Sequence, residues 1–272
     1  MSTLSFRASF LEEYTARAPL ALAIERTLEC VILAEHEFRS PVLDLGCGDG
    51  LFASVLFGDR LDTGIDPDPH ELREAARTGA YRELIRCYGE RIPKPDGSFQ
   101  TVLSNSVLEH IPDLRPVLNE VFRILSPGGV FYFTVPTNDF ETWTVINQLL
   151  IRAGLRGISD RYRRFFNRFW RHYHAYDAGT WRALAAGSGF RVVEVARYGA
   201  PRVALVDDAL APLALPSMLL KRLARRWVLS PSLRRVLLRP FRGLFSAWLS
   251  PVRHPDGCLA FIKAVKSQAA SL

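Results

Sequence analysis

Cysteine is scarce: Cys30, Cys47, Cys87 and Cys258 stand far apart in a chain of 272 residues. That scatter excludes a disulfide framework and a cysteine-based metal knuckle, and makes a reducing cytoplasm the expected compartment. A long apolar run is also missing. The longest charge-free stretch, 124–138, is too short for a bilayer and contains Pro127, Gly128, Gly129 and Pro136, so no membrane span is expected. Arg7, Glu12 and Glu13 arrive too early for an apolar signal core, and no secretory leader is expected. Internal repeats and low-complexity tracts are absent. With 48% hydrophobic and 23% charged residues, a disordered or fibrous chain is excluded. A soluble intracellular protein is expected, of one large α/β domain or two small ones.

Acids are scarce in one half only. Residues 1–140 carry 13 Lys and Arg against 21 Asp and Glu, a net −8; residues 141–272 carry 22 against 7, a net +15. The acidic half is expected to hold generic chemistry, and the basic half to meet something negatively charged.

What is present is an alternation of periods. Leu20, Ile24, Leu28, Val31 and Ile32 lie near helical spacing, so the first 38 residues read as helix. Short apolar runs at 41–45, 63–66, 85–88, 101–104 and 130–135 read as buried strands, with helices at 51–57, 69–79 and 116–125 between them. Ser126-Pro127-Gly128-Gly129 reads as a helix stop. A helix at 180–187 and strands at 191–196 and 258–265 close the pattern. Strand–helix alternation predicts a mostly parallel seven-stranded sheet with helices on both faces.

The first strand ends in Gly46-Cys47-Gly48-Asp49-Gly50, a turn that lets backbone approach a ligand closely. Asp66 ends the next strand, where an acid can accept bonds from both ribose hydroxyls. A dinucleotide fingerprint would need glycine at Leu51, so a pyrophosphate fits poorly. Asp44 beside the loop suits a ligand with a cationic group instead.

VLDLGCGDG at 42–50, GIDPDP at 64–69, IPKPDGSF at 92–99, VLSNSVLEHIPD at 102–113 and LSPGGVFYFTVP at 125–136 resemble, in order and spacing, the motifs of class I S-adenosylmethionine-dependent methyltransferases, in the small-molecule, type 11-like branch. HAYDAGTWRALAAGSGF at 174–190 is similar to a later motif. The resemblance implies a Rossmann-like α/β fold and S-adenosylmethionine as cofactor. It implies that Asp44, Gly46, Cys47 and Gly48 hold the methionine end, Asp66 the ribose, and that Pro67 packs on the adenine. Tyr88 stands where the family has an adenine-reading aspartate; backbone at Gly89 and Glu90, or the Tyr88 ring, is the expected substitute. Asn105 and Ser106 would line the sulfonium.

Methyl transfer to a hydroxyl needs a base, and histidine suits neutral pH. His110, His172 and His174 are the candidates, His110 because it follows the fourth strand. Glu109-His110 is similar to the end of a Glu-x-x-Glu-His pattern in metal-binding subfamilies, but Ser106 stands at its first acid, so no metal is expected. Between Arg152 and Arg171 seven Arg interleave with Tyr162, Phe165, Phe166, Phe169 and Trp170. From Ala209 to Val252 no acid occurs among eight Lys and Arg, while Leu219, Leu223 and Trp227, and Leu233, Leu237, Phe241, Leu244 and Trp248, form apolar stripes. Such helices suit an anionic membrane; a lid packed on the sheet and a nucleic-acid surface are the alternatives, the last disfavoured because no RNA module is visible.

The expected organisation is a single domain over 1–272, with an N-terminal helical extension (1–38), a cofactor-binding core (39–140), helical cap insertions (141–175 and 200–256) and closing strands (176–199 and 257–267). The expected function is S-adenosylmethionine-dependent methylation of a small or lipophilic acceptor, lipid-linked or phosphate-bearing. A cofactor-binding partner without transfer activity and an RNA methyltransferase are the alternatives. The expected location is cytoplasmic, peripheral at the inner membrane face through 209–252.

Overall fold

The computed structural model describes residues 2–267; Met1 and 268–272, included in the expected domain, lie outside the described residues. Helices α1 (Phe10–Arg17) and α2 (Leu20–Leu33) precede strand β1 (Val42–Leu45). There follow α3 (Leu51–Leu56), β2 (Leu61–Asp66), α4 (Pro69–Thr78), β3 (Tyr81–Arg86), β4 (Phe99–Asn105), α5 (Leu114–Ile124) and β5 (Leu125–Pro136). A helical pair, α6 (Val145–Arg152) and α7 (Arg156–Phe169), leads to α8 (Ala178–Gly187) and β6 (Phe190–Tyr198). The chain closes with α9 (Pro201–Ala224), α10 (Pro231–Leu238), α11 (Arg242–Leu249) and β7 (Leu259–Lys266).

All four residues of β1 are buried, as a strand covered on both faces requires. Helix starts are written locally. Asp68, Asp113 and Asp177 each accept a bond from a backbone N–H of the turn they cap, ahead of α4, α5 and α8. The strands join in the order β3-β2-β1-β4-β5-β7-β6. The first five are parallel and β7 runs antiparallel to both neighbours. This is the expected Rossmann-like, mostly parallel seven-stranded sheet. Strand order reverses between β1 and β4, so their carboxyl ends frame the crevice where such sheets bind ligands.

One face of the sheet packs Ile24, Leu28, Val55, Phe57 and Tyr132 under α2 and α3. The other packs Val117, Leu118, Phe131, Phe133 and Trp181 under α5 and α8. Trp181 is 1% exposed and meets the ring of Tyr176 at 5.5 Å.

Four expectations change. The N-terminal helix is two, separated at Ala18-Pro19, and the residues before it pair as bridges, Thr3 with Arg39 and Phe6 with Phe57. The third strand runs Tyr81–Arg86 rather than 85–88. It is an edge strand with Arg82, Glu83 and Arg86 exposed, so its apolar signal is faint. Ser126–Gly129 is the opening of β5, with a register shift against β4. And α9 is long and apolar enough to cross a membrane, with a mean hydropathy of 1.6. Asp207 and Asp208 interrupt its charge-free run without interrupting the helix.

Trp181→Ala leaves a large void beneath α8 and is expected to cost about 3–5 kcal/mol. Urea unfolding followed by circular dichroism measures it; a loss below 1 kcal/mol (~1, the scale of an ordinary surface change) contradicts the packing assigned to α8.

Candidate active site

The glycine loop follows β1. Gly46, Gly48 and Gly50 all have positive φ, at 77°, 52° and 72°. A Cβ on Gly46 would sit 2.6 Å from Val107, whereas at Gly48 it would meet nothing within 4 Å. The loop is therefore anchored at Gly46 and open at Gly48. Gly46 and Cys47 donate backbone N–H bonds to the Ile65 carbonyl, each 2.9 Å. The Gly48 N–H donates to Asp66 Oδ2 at 3.0 Å, and Asp68 N–H to Asp66 Oδ1 at 2.8 Å. These bonds place Asp66 beside the loop, with lone pairs to spare for a ligand's hydroxyls.

Asp44 is 3% exposed and accepts a 2.6 Å bond from the Tyr81 hydroxyl. Burial pushes its carboxyl up to about 7, against the lowering effect of that hydroxyl. An ammonium group beside Asp44 offsets the desolvation. The residues fit S-adenosylmethionine: a buried acid for its cationic end, an open glycine for close approach, and Asp66 for its ribose. Pro67 is exposed at the rim, where an adenine can lie on it. Tyr88 is 69% exposed. Gly89 packs closely, since a Cβ there would fall 2.8 Å from Leu45; Glu90 is exposed.

Sequence reading missed the residues that fasten the site. Asp49 accepts bonds from Leu51 N–H (3.1 Å), from Trp227 Nε1 (3.0 Å) and from Lys221. Burial raises the Asp49 carboxyl, yet Lys221 beside it wins and holds it below the ordinary range. Lys221 also bonds Glu71 at 3.1 Å, so the end of α9 straps the glycine loop. At the end of β4, Asn105 Nδ2 and the next residue's Ser106 Oγ both donate to Glu29 of α2, at 2.7 Å each. Glu29 is fully buried and also takes Arg26 Nη1 on both oxygens. Glu25, Arg26 and Glu29 are charges inside an otherwise largely apolar helix, but nothing local to them points to partners at Asn105 and Ser106.

The three histidines separate. His174 has both nitrogens engaged: Nε2 lies 2.8 Å from the Ile111 carbonyl and Nδ1 3.0 Å from the Tyr176 hydroxyl. It fastens the 174–176 segment to the turn after β4. His110 and His172 come together with ring centroids 5.2 Å apart, beside buried Glu109. Burial and the neighbouring His110 lower His172 to about 4, and burial also lowers His110, so burial disfavours the charged form of both rings. A recess of about 510 Å³ opens at the opposite ends of the strands, near Thr101, Tyr132 and Lys263, and includes none of these residues.

Two outcomes follow for the cofactor. Asp66→Ala should weaken S-adenosylmethionine binding by roughly 10- to 100-fold, the worth of one or two bonds to a charged acceptor; unchanged affinity by calorimetry removes Asp66 from the site. Binding should weaken as pH falls through about 7. Below that value Asp44 must shed a proton to meet the ammonium, and above it none is shed. Asp44→Asn should bind less tightly and lose the part of the pH profile that belongs to this carboxyl; an unaltered profile excludes it.

Residues 11–195 match the Methyltransferase domain family. An uncharacterized methyltransferase of Mycobacterium sp. (strain JLS) is 37% identical over 90 residues, 33% of this chain and 36% of that protein. The chain thus matches only about a third of the length of that curated relative. In fold, a SAM-dependent methyltransferase of Thermotoga maritima aligns over 95% of this chain and 93% of its own, at 14% identity and a TM-score of 0.51. A Haemonchus contortus phosphoethanolamine N-methyltransferase, crystallised with S-adenosyl-L-methionine, aligns over 92% of this chain and 54% of its own, at 17% identity and a TM-score of 0.50. Motif order, sheet order and matched span agree, and this chain belongs to the class I S-adenosylmethionine-dependent methyltransferases.

Proposed function

We propose that this chain transfers the methyl group of S-adenosylmethionine to a small or lipophilic acceptor, lipid-linked or phosphate-bearing, which it meets as a peripheral protein at the anionic cytoplasmic face of a membrane. The observation that carries this reading is the outward apolar surface of the basic insertion. Leu213, Leu215, Leu219 and Leu223 of α9, Leu233, Val236 and Leu237 of α10, and Phe241 and Leu244 are all exposed by 48% or more. Trp227 and Trp248, which end the two stripes, pack onto the core as a lid would; these other apolar side chains do not. Among the described residues, Arg222, Arg226, Arg234 and Arg239 pair with no acid. Exposed leucines beside unpaired arginines match an interfacial helix, each cation near an anionic surface contributing about 1 kcal/mol.

The helix lies along the surface rather than through it. Val203 and Ala204 of α9 are buried against α2, and Asp208 Oδ2 accepts a 2.8 Å bond from Val145 N–H. Its far end is tied through Lys221 to Asp49. Both ends are committed to the domain. The same insertion touches the cofactor loop and presents the apolar face, an arrangement that supports an acceptor drawn from the bilayer. The chain's own residues then align the acceptor with the sulfonium methyl and exclude water, the main contribution to an in-line displacement.

Sedimentation with anionic phosphatidylglycerol vesicles should carry the protein down, less so as salt rises, while neutral phosphatidylcholine vesicles carry down less. The double variant Leu223→Glu, Leu237→Glu alters only exposed positions and should stay in the supernatant. Equal binding of wild type and variant would discard the membrane reading and direct the acceptor search to soluble metabolites.

A further inference from the structure

We propose that Glu109, His110 and His172 form a binding site for a divalent transition-metal ion. The site goes beyond the reading above and stands whether or not the acceptor is lipid-linked. One carboxylate oxygen and one nitrogen from each ring all lie within 4.8 Å of one another. Ligands about 2.0–2.2 Å from an ion lie roughly 3–4 Å apart, so a small inward movement of the side chains closes the set.

Two elements supply it. Glu109 and His110 belong to the single 3-10 turn Leu108–His110 after β4, and His172 follows α7. A 2.8 Å bond from Tyr173 N–H to the Glu109 carbonyl joins the two segments. Arg171 adopts φ of 56°, a conformation that side chains rarely take, and its carbonyl lies 3.2 Å from His110 Nδ1. With that nitrogen donating, His110 Nε2 keeps its lone pair, 3.7 Å from Glu109 Oε1. An outer bond to backbone carbonyl is how metal-binding imidazoles are commonly oriented.

The independent sign of a ligand is Glu109 itself. It is 2% exposed, and its Oε2 has no hydrogen-bond partner among the described residues. A buried acceptor left unpaired is costly. The nearby Arg26 does not fill that lone pair: its Nη1 is bonded to both oxygens of Glu29. A cation between Glu109 and the two rings would. Two imidazole nitrogens and one carboxylate oxygen suit zinc, cobalt, iron or manganese better than calcium or magnesium. Three protein donors leave positions open, the arrangement of a catalytic rather than a structural ion.

No metal was expected from the sequence, because Ser106 replaces an acid. The Ser106 hydroxyl is indeed committed to Glu29. The third donor comes instead from His172, on a segment that only the fold brings near.

The test uses full-length protein without a histidine tag, stripped with a chelator and titrated with cobalt(II) by calorimetry and visible absorption. Wild type should bind one ion per chain and develop the visible bands of a low-coordinate site. Glu109→Gln and His172→Asn should each weaken binding by at least about ten-fold, while S-adenosylmethionine affinity stays unchanged. Should Glu109→Gln fail to fold, His172→Asn, at a half-buried position, decides alone. Absence of stoichiometric binding, or equal affinity in wild type and His172→Asn, overturns the proposal. Because cofactor affinity is measured separately, either result leaves the methyltransferase reading standing.

Discussion

The buried Glu29 carboxylate is the interaction on which the rest of the site depends. A charge taken fully out of water is tolerated only when its lone pairs are filled. Here Arg26 fills two of them and Asn105 and Ser106 the others. Ser106 sits at φ of 50°, outside the usual range for a residue with a side chain. Its hydroxyl bond to Glu29 and its backbone bond to Thr134 hold it there. Glu29 therefore fixes the turn beyond β4 from which Glu109 and His110 project. The N-terminal extension is thus part of the site, and a core drawn at residue 39 leaves out its anchor.

The charge asymmetry between the two halves has a similar internal meaning. Arg235 pairs with Glu13, Arg242 with Glu12, Arg253 with Glu35, and Lys221 with Asp49 and Glu71. Acids of the first half receive cations of the second, and the insertion is clasped to α1 and to the glycine loop. The more exposed of these, from Arg235, Arg242 and Arg253, contribute little stability singly, about 0–1 kcal/mol each. Their effect is positional: several together choose one placement for helices whose apolar faces would otherwise pack anywhere. What the clasp leaves over is Arg222, Arg226, Arg234 and Arg239, which pair with no acid among the described residues, and these accompany the exposed leucines. A basic surplus read from composition alone does not distinguish these two uses.

The sheet was legible because its central strands are covered on both faces and so read as unbroken apolar runs, Val42–Leu45 above all. Edge strand β3 was displaced because half of its residues face water. The cofactor loop was legible because positive φ at Gly46, Gly48 and Gly50 leaves a local trace in residue type. Asp49–Lys221, Glu29–Ser106 and Glu109–His172 leave no such trace: each joins residues far apart in the chain, through side chains common on any surface. Histidine shows the limit most clearly. His172 and His174 are two residues apart and were indistinguishable by type, yet the strained turn at Arg171 sends one ring to Glu109, while the other spends both nitrogens on Ile111 and Tyr176. Which histidine can do chemistry is decided by what its nitrogens already hold, and that is a property of the folded chain.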